Sequence, residues 1–268
     1  MAIVDDALFV PDGDLFVPTE HTRGPWDPRA QHGGPPAALL ARCIEVEPAP
    51  LPMEVARITV ELLRPVPVTE PVRVRTRLVR PGKKVQVVEA IMTTRDDTEL
   101  CRARALRIRR EELDLPVRGV APIELPPPPD AGHPQRGIGE GYAFGLTGVE
   151  LSFVRGRFFE QGASTVWIRL LVPVVLGEQP SGVQRACAAG DFGNGVSSIY
   201  EWGTTVFINP DLTVYLARMP VGEWICLEAV THAGTQGRAL AESRLFDADG
   251  LVGRSLQSLL IEPMQQER

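Results

Sequence analysis

Cysteine is scarce: four residues, at positions 43, 101, 187 and 226, lie too far apart for a disulfide framework, and none makes a C-x-x-C pair. They read as free thiols of a reducing compartment. Long apolar runs are missing too, since no stretch approaches the ~18 residues of a membrane-spanning helix. The opening Met-Ala-Ile-Val-Asp-Asp lacks the basic and apolar regions of a secretory leader. A cytoplasmic protein without membrane attachment is therefore expected. There is no block of like charge and the net charge is −6, so nothing points to nucleic acid. Several catalytic signatures are absent. Gly253-Arg-Ser-Leu-Gln257 lacks the closing glycine of a nucleophile elbow, Gly82-Lys83-Lys84 is not a phosphate loop, and there is no H-E-x-x-H or Cys/His cluster for a metal. Neither metal nor other cofactor is expected.

What is present is ordinary globular composition, 44% hydrophobic and 23% charged with a mean hydropathy of −0.03, in 268 residues. That length suits two domains of about 100 to 150 residues. A long-period repeat supports the division. Ile58-Thr-Val-Glu-Leu-Leu-Arg-Pro-Val-Pro67 reappears as Leu212-Thr-Val-Tyr-Leu-Ala-Arg-Met-Pro-Val221, an offset of 212 − 58 = 154 residues. A single long period means duplicated domains and not a solenoid. Duplication allows one copy to keep a polar site while the other drifts, so chemistry is sought where the copies differ.

After a turn-rich opening, Gln31-His-Gly-Gly-Pro-Pro-Ala-Ala-Leu-Leu-Ala-Arg-Cys-Ile44 predicts a helix beginning near Pro35, because proline is tolerated in a first helical turn. It is small and apolar on nearly every side, as a helix buried against a sheet must be. The Ile58 strand is followed by alternating segments Val72–Val79, Val85–Met92 and Leu100–Ile108, joined by Pro81-Gly82-Lys83 and Asp96-Asp97-Thr98 turns: an antiparallel meander with one wet face. Residues 116–141, rich in proline and glycine, read as a linker. Beyond it come strands over 151–159 and 165–172, a helix from Ser181 to about Ala189, and strands over 212–216, 224–231, 239–246 and 252–261. The second copy repeats the helix-then-meander order. The expected domains are 1–118 and 141–268, with 119–140 between them.

Trp26 with His32-Gly33-Gly34 before a buried helix, Ile58-Thr-Val-Glu-Leu-Leu-Arg-Pro65 on the next strand, Ala189-Gly-Asp191 closing the second helix, Asn209-Pro-Asp211-Leu-Thr and a late Gln257 together resemble the acyl-CoA thioesterase II (TesB-like) family. The likeness runs from about Trp26 to Ile261, and the ordered set carries it, no single motif being specific. The resemblance implies an α+β double hotdog, two antiparallel sheets each wrapped around a central helix. It also implies hydrolysis of fatty acyl-CoA by a water held between Asp, Thr or Ser, and Gln. Asp191 takes the Asp place, Gln257 the Gln place, and Asn209 stands where the hydroxyl residue usually lies, a departure that leaves proton handling open. Where some relatives carry a strand histidine, this chain has Arg57-Ile-Thr-Val60. A homodimer through sheet edges is a further expectation from the likeness.

The residues can also be read on their own. Asp191 ends a helical segment before a Phe192-Gly-Asn-Gly195 turn; it is either a general base or an exposed loop carboxylate. Gln257 stands on an alternating strand whose first-copy counterpart, Cys101-Arg-Ala-Arg-Ala105, has no amide; the alternative is a solvent-facing side chain. His32, Gly33 and Gly34 are expected to bind substrate, their backbone N–H groups at a helix start assisting a thioester carbonyl oxygen, or else to form an ordinary glycine turn. Trp26 is packing or a wall of an acyl pocket. Arg73, Arg75 and Arg77, with Arg102 and Arg104, form rows that could meet CoA phosphates, although a solvated sheet face is the simpler reading. Two other functions compete. One is a non-catalytic acyl-CoA or acyl-carrier binding protein, kept open by Asn209. The other is a hotdog hydratase or dehydratase: His32-Gly-Gly-Pro-Pro is superficially similar to the His of hotdog dehydratases, which pair it with an acid from another segment, whereas the hydratase pattern of Asp followed five residues later by His fails, because Val196 stands there.

Overall fold

The computed structural model describes residues 6–116, 122–137 and 141–264; parts of the expected linker, 117–121 and 138–140, lie outside them. The chain opens with a hairpin, β1 (Phe9–Asp12) and β2 (Leu15–Pro18), turning at Gly13, whose φ of +62° suits glycine. Sequence reading had only turns here. Four-residue strands carrying Pro11 and Pro18 give little alternation, and proline is accepted because the hairpin lies at the sheet edge.

Helix α1 (Gly34–Glu45) follows with Pro35 and Pro36 in its first turn, and ten of its twelve residues are buried, as its all-round apolar sequence requires. The meander β3 (Met53–Leu62), β4 (Val72–Arg80), β5 (Val85–Thr93) and β6 (Glu99–Arg109) wraps it. Four of the five arginines in these rows form ion pairs, Arg73 with Asp14 at 2.7 Å, Arg75 with Asp97 at 2.8 Å, Arg77 with buried Glu89 at 2.8 Å and Arg102 with Glu99 at 2.8 Å, while Arg104 is exposed.

Part of the expected linker is docked. Strand β7 (His133–Gln135) pairs with β8 (Val149–Arg155), and the carbonyls of Pro127 and Pro129 accept from Trp167 Nε1 (2.7 Å) and Ser152 Oγ (2.6 Å). Proline-rich backbone cannot extend a ladder far, but its carbonyls still accept. β8 stops at Arg155, short of Phe159, because Gly156 takes φ +72°. Then come β9 (Ser164–Leu170), α2 (Gly182–Gly190) capped by Ser181, and a short helix α3 (Gly193–Val196) where a turn was expected. The unexpected β10 (Thr205–Ile208) precedes β11 (Asp211–Leu216), β12 (Trp224–Ala233), β13 (Arg238–Asp247) and β14 (Gly250–Pro263).

All pairings between these strands are antiparallel, in the order β1-β2-β4-β5-β6-β3-β11-β14-β13-β12-β9-β8-β7, with β10 also on β14. Outward from the β3–β11 seam the two halves read alike: β6, β5, β4, β2, β1 on one side and β14, β13, β12, β9, β8 on the other. The repeated segments are the seam strands themselves, and Thr59 faces Thr213, its own counterpart 154 residues on. Helices α1 and α2 pack together, and residues of both halves share one apolar core. This is an α+β double hotdog. The four cysteines are free and buried, and among the described residues no helix is long and apolar enough to cross a membrane.

Candidate active site

The segment before α1 is pinned at both sides: His32 N donates to Thr22 O and Gln31 N to Val66 O, each at 2.8 Å. That fixes His32 at the helix start, its ring against Phe144 (centroids 5.1 Å apart) and Phe192 (4.6 Å). Its Nδ1 lies 2.8 Å from Oδ2 of Asp191, the residue closing α2. The contact joins the first half to the second. Gly34 N–H also points at Nδ1, from 3.1 Å. One ring nitrogen cannot donate to the carboxylate and accept from the amide at once. When Nδ1 carries its proton toward Asp191, the Gly34 N–H is released. Since Pro35 and Pro36 have no N–H, Gly33 and Gly34 hold the only backbone donors at the start of this helix before Ala37.

Asp191 is buried, 3% exposed, and not the exposed loop carboxylate that its sequence context allowed. Asn209 Nδ2 donates to its Oδ1 at 2.7 Å and to Asp211 O at 3.2 Å. Gln257, 1% exposed, gives Nε2 to the Asp191 carbonyl at 3.2 Å and to Oδ1 at 3.4 Å. All six residues singled out from sequence, Asp191, Asn209, Gln257, His32, Gly33 and Gly34, come together. The amides differ from expectation in one respect: both reach the Asp191 carboxylate. Sequence reading missed Asn194, whose N–H donates to Gln257 Oε1 at 3.0 Å while its Nδ2 reaches Phe207 O at 3.1 Å. Its spacing, three residues past Asp191, was the available signal, obscured by reading 192–195 as a turn. Phe144 and Phe192, which flank the imidazole, were missed as well.

Two glycines are needed for space. A Cβ on Gly33 would lie 2.7 Å from Asp191 Oδ2, and one on Gly193 would lie 2.7 Å from Gln257 Oε1. Both halves of the cluster thus approach through backbone without a side chain between.

The cluster opens on a cleft of about 610 Å³ between the halves. Trp26, Pro36, Leu62, Leu63, Ile208 and Leu260 supply apolar wall, and His32, Asp191 and Asn209 are among its polar lining. Trp26 stacks on Trp202, centroids 5.1 Å apart, and is therefore both packing and wall. Gln257 does not line the cleft and acts from behind Asp191. An apolar cleft with a few convergent polar groups is what a small-molecule site requires.

The opposite ends of the same helices are furnished differently. Glu45, last residue of α1, accepts from Ser181 Oγ (2.7 Å) and Gln184 Nε2 (3.3 Å) at the start of α2. Burial raises its pKa above the ordinary carboxylate value, with those two hydrogen bonds opposing. By ladder register Ala105, opposite Val88, stands where Gln257 stands opposite Ala241, so this end lacks the inward amide.

Residues 22–108 match the family model described as "Acyl-CoA thioesterase N-terminal domain", and residues 122–261 match "Acyl-CoA thioesterase C-terminal domain". A solved structure of a conserved protein of unknown function with hot dog fold from Alicyclobacillus acidocaldarius is similar at 17% identity and TM-score 0.72, over 100% of this chain and 99% of that one. The tesB protein of Mycobacterium avium subs paratuberculosis is similar at 17% identity and TM-score 0.64, over 95% and 96%. The acyl-CoA thioesterase II TesB2 of Mycobacterium marinum is similar at 16% identity and TM-score 0.61, over 85% and 87%. No curated protein matches in sequence.

Proposed function

Because the chain belongs to the acyl-CoA thioesterase family, we propose that it hydrolyses acyl-CoA to a free carboxylic acid and CoA in the cytoplasm, without a covalent intermediate. The observation that carries this reading is the His32–Asp191 contact on the floor of an apolar cleft, with Asn209 and Gln257 fixing the carboxylate. The acyl chain lies along the Trp26, Leu62 and Ile208 wall.

With Nδ1 directed at Asp191, Nε2 is the imidazole nitrogen left to serve the cleft. It accepts a proton from the attacking water, and Asp191 fixes the tautomer and balances the imidazolium that forms. Water oxygen bonds to the thioester carbon, and negative charge moves to the carbonyl oxygen. N–H groups of Gly33 and Gly34 stabilise that charge. Collapse breaks the C–S bond, the thiolate leaves, and His32 returns its proton to sulfur. Asp191 is thus catalytic through its pairing with His32, and Asn209 and Gln257 are positioning residues.

The test is free-thiol release from short, medium and long acyl-CoAs, comparing the wild type with Asp191→Asn, His32→Gln and Gln257→Ala while thermal melting checks folding. Hydrolysis greatly reduced in all three establishes the reading, and unaltered rates would refute this site. A non-catalytic acyl-CoA or acyl-carrier binding protein is favoured by one observation, that the Asn209 amide is given to Asp191. Tight binding of a thioester without thiol release would select it.

A further inference from the structure

Arg64 and Arg218 hold the same place in the two copies, 154 residues apart. Each follows its seam strand and donates to a carbonyl at the start of the last strand of its half: Arg64 Nη1 to Glu99 O at 2.7 Å, Arg218 Nη2 to Gly250 O at 3.1 Å. There the likeness ends. Arg218 closes on buried Asp247 through two hydrogen bonds, 2.6 Å to Oδ2 and 2.5 Å to Oδ1. By ladder register the first half has Thr94 at the Asp247 place, because Phe246 opposite Leu251 corresponds to Thr93 opposite Glu99. The Thr94 hydroxyl is turned to Asp96. Among the described residues no carboxylate comes within ion-pair distance of Arg64. Its side chain is exposed on the rim of the cleft that has Asp191 on its floor. Nearby Asp27 is already engaged by Arg29.

A guanidinium held at one N–H by a backbone carbonyl keeps the rest of its fork for a second acceptor, and phosphate or carboxylate oxygens fit that fork. Arg64 is the only lysine or arginine among the described residues lining the cleft, and in a chain of net charge −6 the field of the remaining protein does not supply attraction for an anion. We propose that Arg64 is the anion subsite of this cleft, holding a phosphate or carboxylate oxygen of the thioester ligand while the thioester reaches His32 and Asp191. The proposal rests on the thioester reading of the cleft. It explains why the copies diverged here: the second arginine carries a structural partner, and the first has exchanged that partner for a ligand.

Binding of non-hydrolysable thioethers by titration calorimetry tests it without relying on turnover. The probes are S-alkyl-CoA, S-alkyl-pantetheine, and S-alkyl-pantetheine bearing a terminal carboxylate. Arg64→Gln is expected to weaken S-alkyl-CoA about tenfold and leave neutral S-alkyl-pantetheine unchanged. Thr94→Asp, which supplies the partner that Arg218 has, should reproduce the loss with the arginine still present, and Arg64→Lys should restore part of the affinity. A loss confined to the carboxylate-bearing pantetheine supports the subsite and places the anion on the acyl chain. Equal affinity of wild type and Arg64→Gln for every probe overturns the subsite alone. Failure of the wild type to bind any probe overturns the thioester reading and the subsite together.

Discussion

Thr213 donates its hydroxyl hydrogen to Oγ1 of Thr59, 3.1 Å away, and the two threonines are one position of a duplicated sequence. Ile58 faces Val214 and Val60 faces Leu212 on either side, so a local twofold axis passes between the strands at this pair. A self-complementary contact of the kind that builds twofold dimers is here made within one chain.

The hydroxyl pair is expected to be worth about 1 kcal/mol. Thr59→Val should cost about that amount in urea unfolding. Adding Thr213→Val should cost little more, since removing both hydroxyls leaves neither unsatisfied. Strict additivity would show that the hydroxyls do not interact.

His32 and Asp191 should behave as one unit. Each of His32→Gln and Asp191→Asn is expected to lower kcat by roughly 10²- to 10³-fold, and the double variant by about as much as either alone. Steady-state kinetics on the best acyl-CoA decides; multiplicative losses would mean that the two residues act independently.

Gly33→Ala separates catalysis from folding. Gly33 caps the start of α1, where alanine is a poorer residue than glycine, and here an alanine Cβ would also lie 2.7 and 2.9 Å from the two Asp191 oxygens. A fall in kcat with a melting temperature lowered by only a few degrees is expected, and full activity would contradict the close approach.

Acid sensitivity should be concentrated at Asp247. Burial alone would raise its carboxyl, but the Arg218 fork and the N–H groups of Val221 and Asp249 outweigh burial and hold it below its ordinary value of 3.8. A depressed carboxyl contributes stability above its unfolded value, and that stability is lost as pH falls through the folded value. Asp247→Asn should therefore destabilise the protein by roughly 2 kcal/mol at pH 7. Chemical denaturation at pH 7 and pH 3 should show a smaller penalty at the lower pH; a constant penalty would place the acid-labile bond elsewhere.

The duplication was legible because Ile58-Thr-Val and Leu212-Thr-Val survive as a repeat, although nothing in the repeat said that these two strands would pair, and the meanders were legible because their alternation matches a half-buried sheet. The strand under Gln257 was legible in the same way, but alternation left its facing open, and the structure puts it on the inward side of β14 with Ser255 and Leu259. The short strands β1, β2 and β7 were not, since their prolines signal turns and only the finished sheet edge shows why they are tolerated. Nor was the joining of His32 to Asp191. Each lies beside its own helix, and no local pattern states that α1 and α2 run antiparallel with those ends adjacent. Arg64 looked like Arg218 in sequence; the distinction lay in Thr94 against Asp247, 30 residues further along the first copy and 29 along the second.

Glu45 and Ser181 meet where the same twofold relation would put a second Asp191 and His32, with the Gln184 amide on the carboxylate but no strand counterpart of Gln257. On the proposed reading, one chain offers one turnover centre and one idle corner. If Asp191 does the chemistry, inheritance treats the two differently: substitutions around Asp191 are screened by chemistry, those around Glu45 only by folding. Sequences descended from the same duplication are expected to drift most freely at that corner, and it is where a new pocket could be engineered while the working one is left alone.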